Sequence, residues 1–431
     1  METTATTLEQ FEQDSARYYN RNFIAGLVHG IFFQMASAFG NINTVLPAFV
    51  TLLTPSSIAV GLMATVQSVG TIIPQIFTAY LLEDRPRKKP YLLGAITIRW
   101  VSWGVLAWLT YRYGATNPML VLAVLISLFG LFSLAGGVGT VVYADIFARA
   151  IPANRRGRFT GARQIGGFTL AILAGGIVKY ILGNETAYPF PLNYTIIFTL
   201  SAITLAIAFT GFALIREPVY PVERNNTSLQ SLWLQSKSLV LGNRNFRILL
   251  VSQFIMNLAV GMAPFFVVHA RQAFVSNAGI VGIFLSAQMA GAALSNILWG
   301  WMADRFGNKS VIVGSLLSGA TATALALILP QLLPLAYSAV FVLVGTMLSG
   351  MRIGYSNFIL EMAPTPIRAN CVALKNTLLA PAALFPLVVG SVITVSSFEI
   401  VFGATLVLLL AGAWYSLRLT DPRHNKNGEC A

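Results

Sequence analysis

Residues 143–164 read Y-A-D-I-F-A-R-A-I-P-A-N-R-R-G-R-F-T-G-A-R-Q, and residues 355–376 read Y-S-N-F-I-L-E-M-A-P-T-P-I-R-A-N-C-V-A-L-K-N. At a constant offset of 212 residues, Tyr143 matches Tyr355, Pro152 matches Pro364 and Arg156 matches Arg368. The pair Arg163-Gln164 matches Lys375-Asn376, while Gly157 becomes Ala369. Other positions change sign or lose charge: Asp145 stands opposite Asn357, and Arg149 opposite Glu361. In so apolar a chain, this spacing of polar and punctuating residues does not arise from composition. It implies two related halves, each with a polar turn between two hydrophobic segments.

The chain has 431 residues, 56% of them apolar and 10% charged. Its mean hydropathy is +0.70. Soluble domains carry about a quarter charged residues, so there is too little polar material here to coat a soluble globule. Many apolar runs exceed the ~20 residues that a helix needs to cross a bilayer. They are continuous rather than alternating, which favours helices over a closed barrel. The expected class is an all-α, multi-pass membrane protein. Six helices are expected near 23–53, 57–82, 91–113, 118–149, 160–182 and 192–215, and six more near 247–271, 278–302, 311–329, 333–362, 370–395 and 398–418. This divides the chain into a tail (1–22), a six-helix bundle (23–215), a linker (216–246), a second bundle (247–418) and a second tail (419–431). Within the linker, Leu229, Leu232, Trp233 and Val240 have roughly helical spacing over 228–241. That pattern fits a short surface helix or a loosely ordered link.

The net charge of +13 suits an acidic partner or a topology signal. The distribution favours the second, and no nucleic-acid role is expected. Of the 28 basic residues, all but Arg99, Arg112, Lys179, Arg271 and Arg352 are assigned to one side. That asymmetry places both termini and the linker in the cytoplasm of a cell-membrane protein. The first 21 residues lack a basic start followed by a short apolar core, so no cleaved signal peptide is expected. Cys371 and Cys430 provide neither a disulfide framework nor metal-ligand spacing, so no metal or cofactor is expected. His29, His269 and His424 are scattered, no nucleophile–base spacing appears, and no Gly-rich Lys loop is present. An enzyme is not expected.

The second helices of the halves also match: Gly61, Gln67 and Gly70 correspond to Gly282, Gln288 and Gly291. The following turns pair Asp84-Arg85 with Asp304-Arg305, and Lys89 with Lys309. Residues 300–309 read G-W-M-A-D-R-F-G-N-K. This resembles the signature turn between helices eight and nine of the major facilitator superfamily of secondary transporters. The first-half copy, E-D-R-P-R-K-K-P at 83–90, departs from the pattern: Tyr80 stands where the leading glycine would be, and Arg87 replaces the second glycine. The resemblance runs from about residue 22 to 418, is of bacterial type, and reaches no subgroup. It implies two six-helix bundles that rock about a central cavity and move a small solute by alternating access, with the protein acting as a monomer. Helices 1, 4, 7 and 10 would line the cavity, and helices 2, 5, 8 and 11 would form the interface.

The resemblance also implies a cytoplasmic latch. Asp304 would hold free N–H groups at a helix start, where the dipole is positive, and Asp84 would do the same in the first half. Arg305, Glu361 and Arg368 are candidates to complete the second-half latch, and Arg85, Asp145, Arg149 and Arg156 the first. The alternative is that the basic residues only set topology.

Ionisable side chains inside a membrane are costly and therefore functional candidates. Arg352, about ten residues inside helix ten, is a candidate for an anionic solute group or for a structural pair with Asp145 or Glu361. His29, Gln34 and Asn41 on helix one, Asn257 on helix seven, and Tyr355 and Asn357 on helix ten form a candidate polar site. Each of these also suits helix–helix hydrogen bonding. Arg99, on helix three, reads as structural. No carboxylate stands near the midplane of helices 1, 7 or 8, so a coupling proton is an expectation that the superfamily supplies and these residues do not indicate. Helix four lacks an embedded arginine and helix five a Gly-Pro pair, which weakens a drug-efflux reading. The expected function is solute transport. The alternative is a membrane sensor or assembly protein that keeps the fold without transporting.

Overall fold

Backbone N–H and C=O groups in hydrocarbon need partners within their own segment, and continuous apolar runs therefore coil into helices. The computed structural model describes residues 2–82, 85–218, 242–273, 277–329, 334–363 and 368–424. The first half contains α1 (Glu2–Phe39), α2 (Val45–Leu53), α3 (Ser57–Leu81), α4 (Lys89–Tyr113), α5 (Pro118–Ala150), α6 (Ala153–Gly183) and α7 (Leu192–Ala213). The second contains α8 (Arg244–Ala273), α9 (Ile280–Phe306), α10 (Asn308–Ile328), α11 (Ser338–Met362), α12 (Arg368–Leu379), α13 (Phe385–Val395) and α14 (Phe398–Ser416). Among the described residues, twelve segments are long and apolar enough to span a bilayer. Large apolar side chains such as Leu294, Ile297 and Val395 are exposed, as a lipid-facing surface requires.

Two expected helices are broken. The first does not run to residue 53: it stops at Phe39, and α2 begins at Val45. The Asn41 side-chain oxygen accepts from Asn43 N–H (2.9 Å) and the Thr44 hydroxyl (3.1 Å), an arrangement that competes with the helical ladder. The eleventh is interrupted by a 3₁₀ turn, Ala380–Leu384, between α12 and α13. Pro381 lies in that turn, where its missing N–H and fixed φ disfavour a continuous α-helix. The expected N-terminal tail is helical from Glu2 onward. The expected surface helix at 228–241 lies outside the described residues.

The chain forms two compact units. Unit 1 comprises Met1–Pro55, Val66–Asn225 and Asn277–Gly282; unit 2 comprises Ser56–Thr65, Asn226–Ser276 and Ile283–Ala431. In unit 1, α4 packs mainly on α5 and α7, and α1 on α7 and α6. In unit 2, α10 packs mainly on α11 and α14, and α14 on α8. The third span of each half thus packs on the fourth and sixth, and the sixth on the first. Each unit buries its own apolar cluster: Leu92, Ile96, Val142, Ile146 and Phe212 in unit 1, and Phe246, Met256, Leu316, Phe358 and Leu409 among others in unit 2. Unit 2 gathers in the first turns of α3, where Leu387 N–H donates to the Thr65 hydroxyl oxygen (3.0 Å). Unit 1 gathers in 277–282, where the Asn277 amide donates to Gly183 O (3.0 Å).

The turn between α9 and α10 depends on Gly307, whose φ of 82° and ψ of 163° are essentially reserved for glycine. A Cβ there would also collide with the Asp421 carboxylate and the Arg423 guanidinium. That guanidinium donates through Nη1 to Ala303 O and Asp304 O (both 3.1 Å) and caps the end of α9. Asp421 holds it by an ion pair of 3.0 Å. Gly307→Ala is expected to destabilise the purified protein by about 1–3 kcal/mol, read as a lower thermal midpoint in detergent. Gly300→Ala, where a Cβ meets nothing within 4 Å, is the matched control and should leave the midpoint unchanged or raise it.

Candidate functional site

The polar turns of the two halves are built alike. In unit 1, Arg156 Nε donates to Ile151 O (3.1 Å) and its Nη2 to Ala148 O (2.6 Å). In unit 2, Arg368 Nε donates to Ala363 O (3.3 Å), the same bond 212 residues later. Each arginine lies just beyond the end of one helix and caps the carbonyls that the end leaves unpaired.

The start of the third span in each half contacts an acid of the fourth. In unit 1, Lys88 Nζ and Arg149 Nη2 approach the same Asp145 oxygen, Oδ2, at 3.0 and 2.8 Å. Arg149 Nε also donates to Oδ1 (3.3 Å). In unit 2, Asn308 Nδ2 donates to Glu361 Oε1 (2.7 Å). The acid sits one helical turn later in the second half, and the basic partner becomes an amide. Glu217 anchors the start of α4 by accepting from Lys88 N–H (2.8 Å) and Lys89 N–H (2.9 Å), an anion at a helix N-terminus. Lys89 Nζ reaches Ala213 O (2.6 Å) and Ile215 O (2.7 Å) at the end of α7.

The expected latch residues therefore fall into distinct places. Asp145 and Arg149 are joined, with Lys88, a partner the sequence reading left out. Arg156 and Arg368 bind backbone rather than carboxylates. Arg85 is exposed, and Arg305 lies over the Trp301 and Phe306 rings at 5.9 and 5.7 Å. Among the described residues, the exposed Asp304 carboxylate has no hydrogen bond or ion pair, although its carbonyl accepts from Arg423. Asp84 lies outside the described residues.

Within the spans of unit 1, basic and aromatic side chains interleave. Arg163 Nη1 donates to the Tyr143 hydroxyl (3.0 Å), with Cζ 5.2 Å from the centre of that ring. Gly30 leaves room for this side chain: a Cβ there would strike the Arg163 Nε and Cδ atoms. His29, next to Gly30, packs against Phe33, Tyr143 and Phe212 at ring distances of 5.8, 5.5 and 5.2 Å. Its Nδ1 bonds to Ala208 O (2.9 Å), so Nδ1 carries the hydrogen and Nε2 of the neutral ring is an acceptor. Arg99 Cζ lies 4.7 Å from the centre of Phe33 and 4.0 Å from that of Phe132. Its buried Nε has no hydrogen-bond partner; the ring faces supply cation–π stabilisation instead. Gln34 packs at the crossing with Gly167, and Asn41 is engaged at the break after α1.

In unit 2, Tyr355 is fully buried, and its hydroxyl bonds Ser252 Oγ (2.6 Å), which bonds Ser416 Oγ (2.6 Å). Ser416 Oγ donates to Gly412 O (2.7 Å). That terminal bond fixes the direction of the chain, so Ser252 donates to Ser416 and Tyr355 to Ser252. Asn257 is half-buried, and Arg352 and Asn357 are exposed on α11. His269 bonds the Tyr337 hydroxyl through Nδ1 (3.1 Å). The sequence reading assigned Arg163 and Lys375 to the cytoplasmic side and did not mark them as site residues; they lie inside the spans Arg156–Gly183 and Cys371–Val395. The repeated basic–amide pair was the available signal for both.

Twelve spans in two repeated halves, joined by matching charged turns, define the architecture of a secondary transporter. The chain belongs to the major facilitator superfamily, whose family model matches residues 27–274 and 249–429. It is a multi-pass membrane transporter that works by alternating access. Among solved structures, a variant of the nucleoside transporter NupG has a TM-score of 0.71 at 14% identity, covering 93% of this chain and 100% of that one. A D-xylose-proton symporter has a TM-score of 0.70 at 14% identity, covering 93% and 97%. The xylose transporter XylE from E. coli, in a partially occluded inward open conformation, has a TM-score of 0.66 at 14% identity, covering 94% and 99%. At these identities the likeness is one of fold. A comparison with curated protein sequences finds no match.

The Asp145 node gives a direct test. Asp145→Asn should lower the thermal midpoint, by the equivalent of about 1 kcal/mol for a partly exposed network. Adding Lys88→Met should recover part of the loss, because it removes the Lys88 cation that Asp145 otherwise answers.

Proposed function

We propose that the transported solute is a small anion, that a proton accompanies it, and that the protein acts as a monomer in the cell membrane with both termini cytoplasmic. The balance of charge within the spans carries the anionic reading. Among the described residues, the spans contain four carboxylates: Asp145, Asp304, Glu361 and Glu399. Each lies within five residues of a span end. Arg99, Arg163 and Arg352 stand seven to ten residues inside their segments, and Lys375 stands four residues inside a segment without a carboxylate. A positive interior without acids is costly in an empty transporter, and an anionic solute offsets that cost.

Arg352, His29, Gln34, Asn41, Asn257, Tyr355 and Asn357 remain the proposed cavity residues. Arg352 is the member of that set with a charge to offer an anion. His29 and Lys375 can gain or lose a proton, whereas arginine cannot, which supports proton coupling. The basic turns at Arg85, Arg87 and Lys88, at Arg155, Arg156 and Arg158, and at Arg305 and Lys309 support the cytoplasmic assignment. Asp304, with its carboxylate exposed, is the proposed latch on the second-half turn, alongside Arg305, Glu361 and Arg368. Asp84, Arg85, Asp145, Arg149 and Arg156 are its first-half counterparts. No catalytic role is proposed.

Purified protein in proteoliposomes should take up at least one of a panel of labelled carboxylates and organic phosphates, faster when a pH gradient is imposed. Flux of neutral solutes alone would overturn the anionic reading, and flux indifferent to the pH gradient would overturn proton coupling. Asp304→Asn should reduce the rate severalfold while leaving membrane insertion intact. Unchanged flux in that variant would remove the latch role.

A further inference from the structure

The two halves treat their repeated basic residue differently. In unit 1, Arg163 is answered within the protein by the Tyr143 hydroxyl at 3.0 Å and by the face of that ring. The equivalent pair in unit 2 is Lys375 and Tyr355. Tyr355 instead donates its hydroxyl proton to Ser252, at the head of a chain that ends on the Gly412 carbonyl. Lys375 is buried, with 5% of its surface exposed. Among the described residues, its ammonium has no hydrogen bond, no ion pair and no aromatic face. It lies four residues inside the span Cys371–Val395, which contains no carboxylate.

An ammonium group carries three donors and no acceptor. Covered by the protein without a partner of its own, it loses hydration that nothing in the protein replaces. The arginines that stand deeper in their spans are provided for: Arg99 by the rings of Phe33 and Phe132, Arg163 by Tyr143, and Arg352 by an interaction of its own. Among the described residues of unit 2, Lys375 is a buried basic side chain whose charge the protein leaves unanswered. The Ser252–Ser416 chain keeps Tyr355 directed toward α8 and α14.

We propose that Lys375 is the solute-binding cation of the second half, receiving the carboxylate or phosphate group of the transported anion. This rests on the anionic-solute reading above and names the group that reads the charge. The solute anion supplies the missing acceptor, and binding converts an unpaired buried cation into a charge-assisted hydrogen bond. Lysine suits this task because its compact charge sits on a flexible stem and can release a proton as well as an anion.

The test uses the full-length protein in detergent, with acetate, succinate, inorganic phosphate and glycerol phosphate as anionic probes and xylose and uridine as neutral ones. In the wild type, at least one anion should raise the thermal midpoint, since a ligand stabilises the state it binds. Lys375→Gln should weaken the response to that anion by about tenfold or more, and Lys375→Arg should retain part of it. A response equal to wild type in Lys375→Gln overturns the role of Lys375 while leaving the anionic reading in place. No shift with any anion overturns both. Should Lys375→Gln fail to fold, the wild-type protein still decides the matter. The stabilising anion should slow acylation of Lys375 by an amine-reactive reagent severalfold, read by peptide mass spectrometry, and equal acylation with and without it overturns the proposal.

Discussion

A polar group inside hydrocarbon must find its partner within the protein, because no water is there to supply one. Much of this molecule follows from that rule. It makes the apolar runs helical and caps the helix ends with Arg156, Arg368, Arg423 and Glu217. It folds Arg99 between two aromatic rings and Arg163 against a tyrosine. The same rule makes exceptions informative: a buried charge that the fold leaves unanswered points to a partner that arrives from outside.

The duplication shows which contacts survive sequence divergence. The bond from Arg156 to Ile151 O has its copy from Arg368 to Ala363 O. An arginine that binds a carbonyl needs only the backbone path to be kept, whatever side chains line it. Pairs between side chains have changed instead. Lys88 with Asp145 becomes Asn308 with Glu361, and the acid moves by one turn. Arg163 with Tyr143 becomes Lys375 apart from Tyr355. The altered side chains distinguish the two halves chemically.

That division bears on transport. Charges at the turns, such as Asp145 with its two cations, lie near span ends where water is within reach and the cost of separating them is moderate. Charges deep in the spans face a far larger cost and are retained where they recognise or couple something. The neutral chain Tyr355–Ser252–Ser416 holds its helices together without adding charge.

The membrane class, the twelve spans, the two halves and the superfamily were legible in the linear chain. They rest on hydropathy, on the 212-residue offset and on the G-W-M-A-D-R-F-G-N-K turn, which are local or periodic quantities. The breaks at Asn41 and at Pro381 were less visible, because an apolar run with one polar residue reads as continuous until side-chain bonds are placed. The sequence marked Asp145 and Arg149 as candidates but not Lys88 as their partner, which is 57 residues away along the chain. It assigned Arg163 and Lys375 to the cytoplasmic side without marking them as site residues, since both stand only four to seven residues inside their spans. Sequence alone determined that this is a duplicated membrane transporter, because helix-forming apolar length is a property of the chain. Which charges are answered, and which is enclosed without a partner, was decided only by tertiary structure, because pairing depends on distances between helices far apart in sequence.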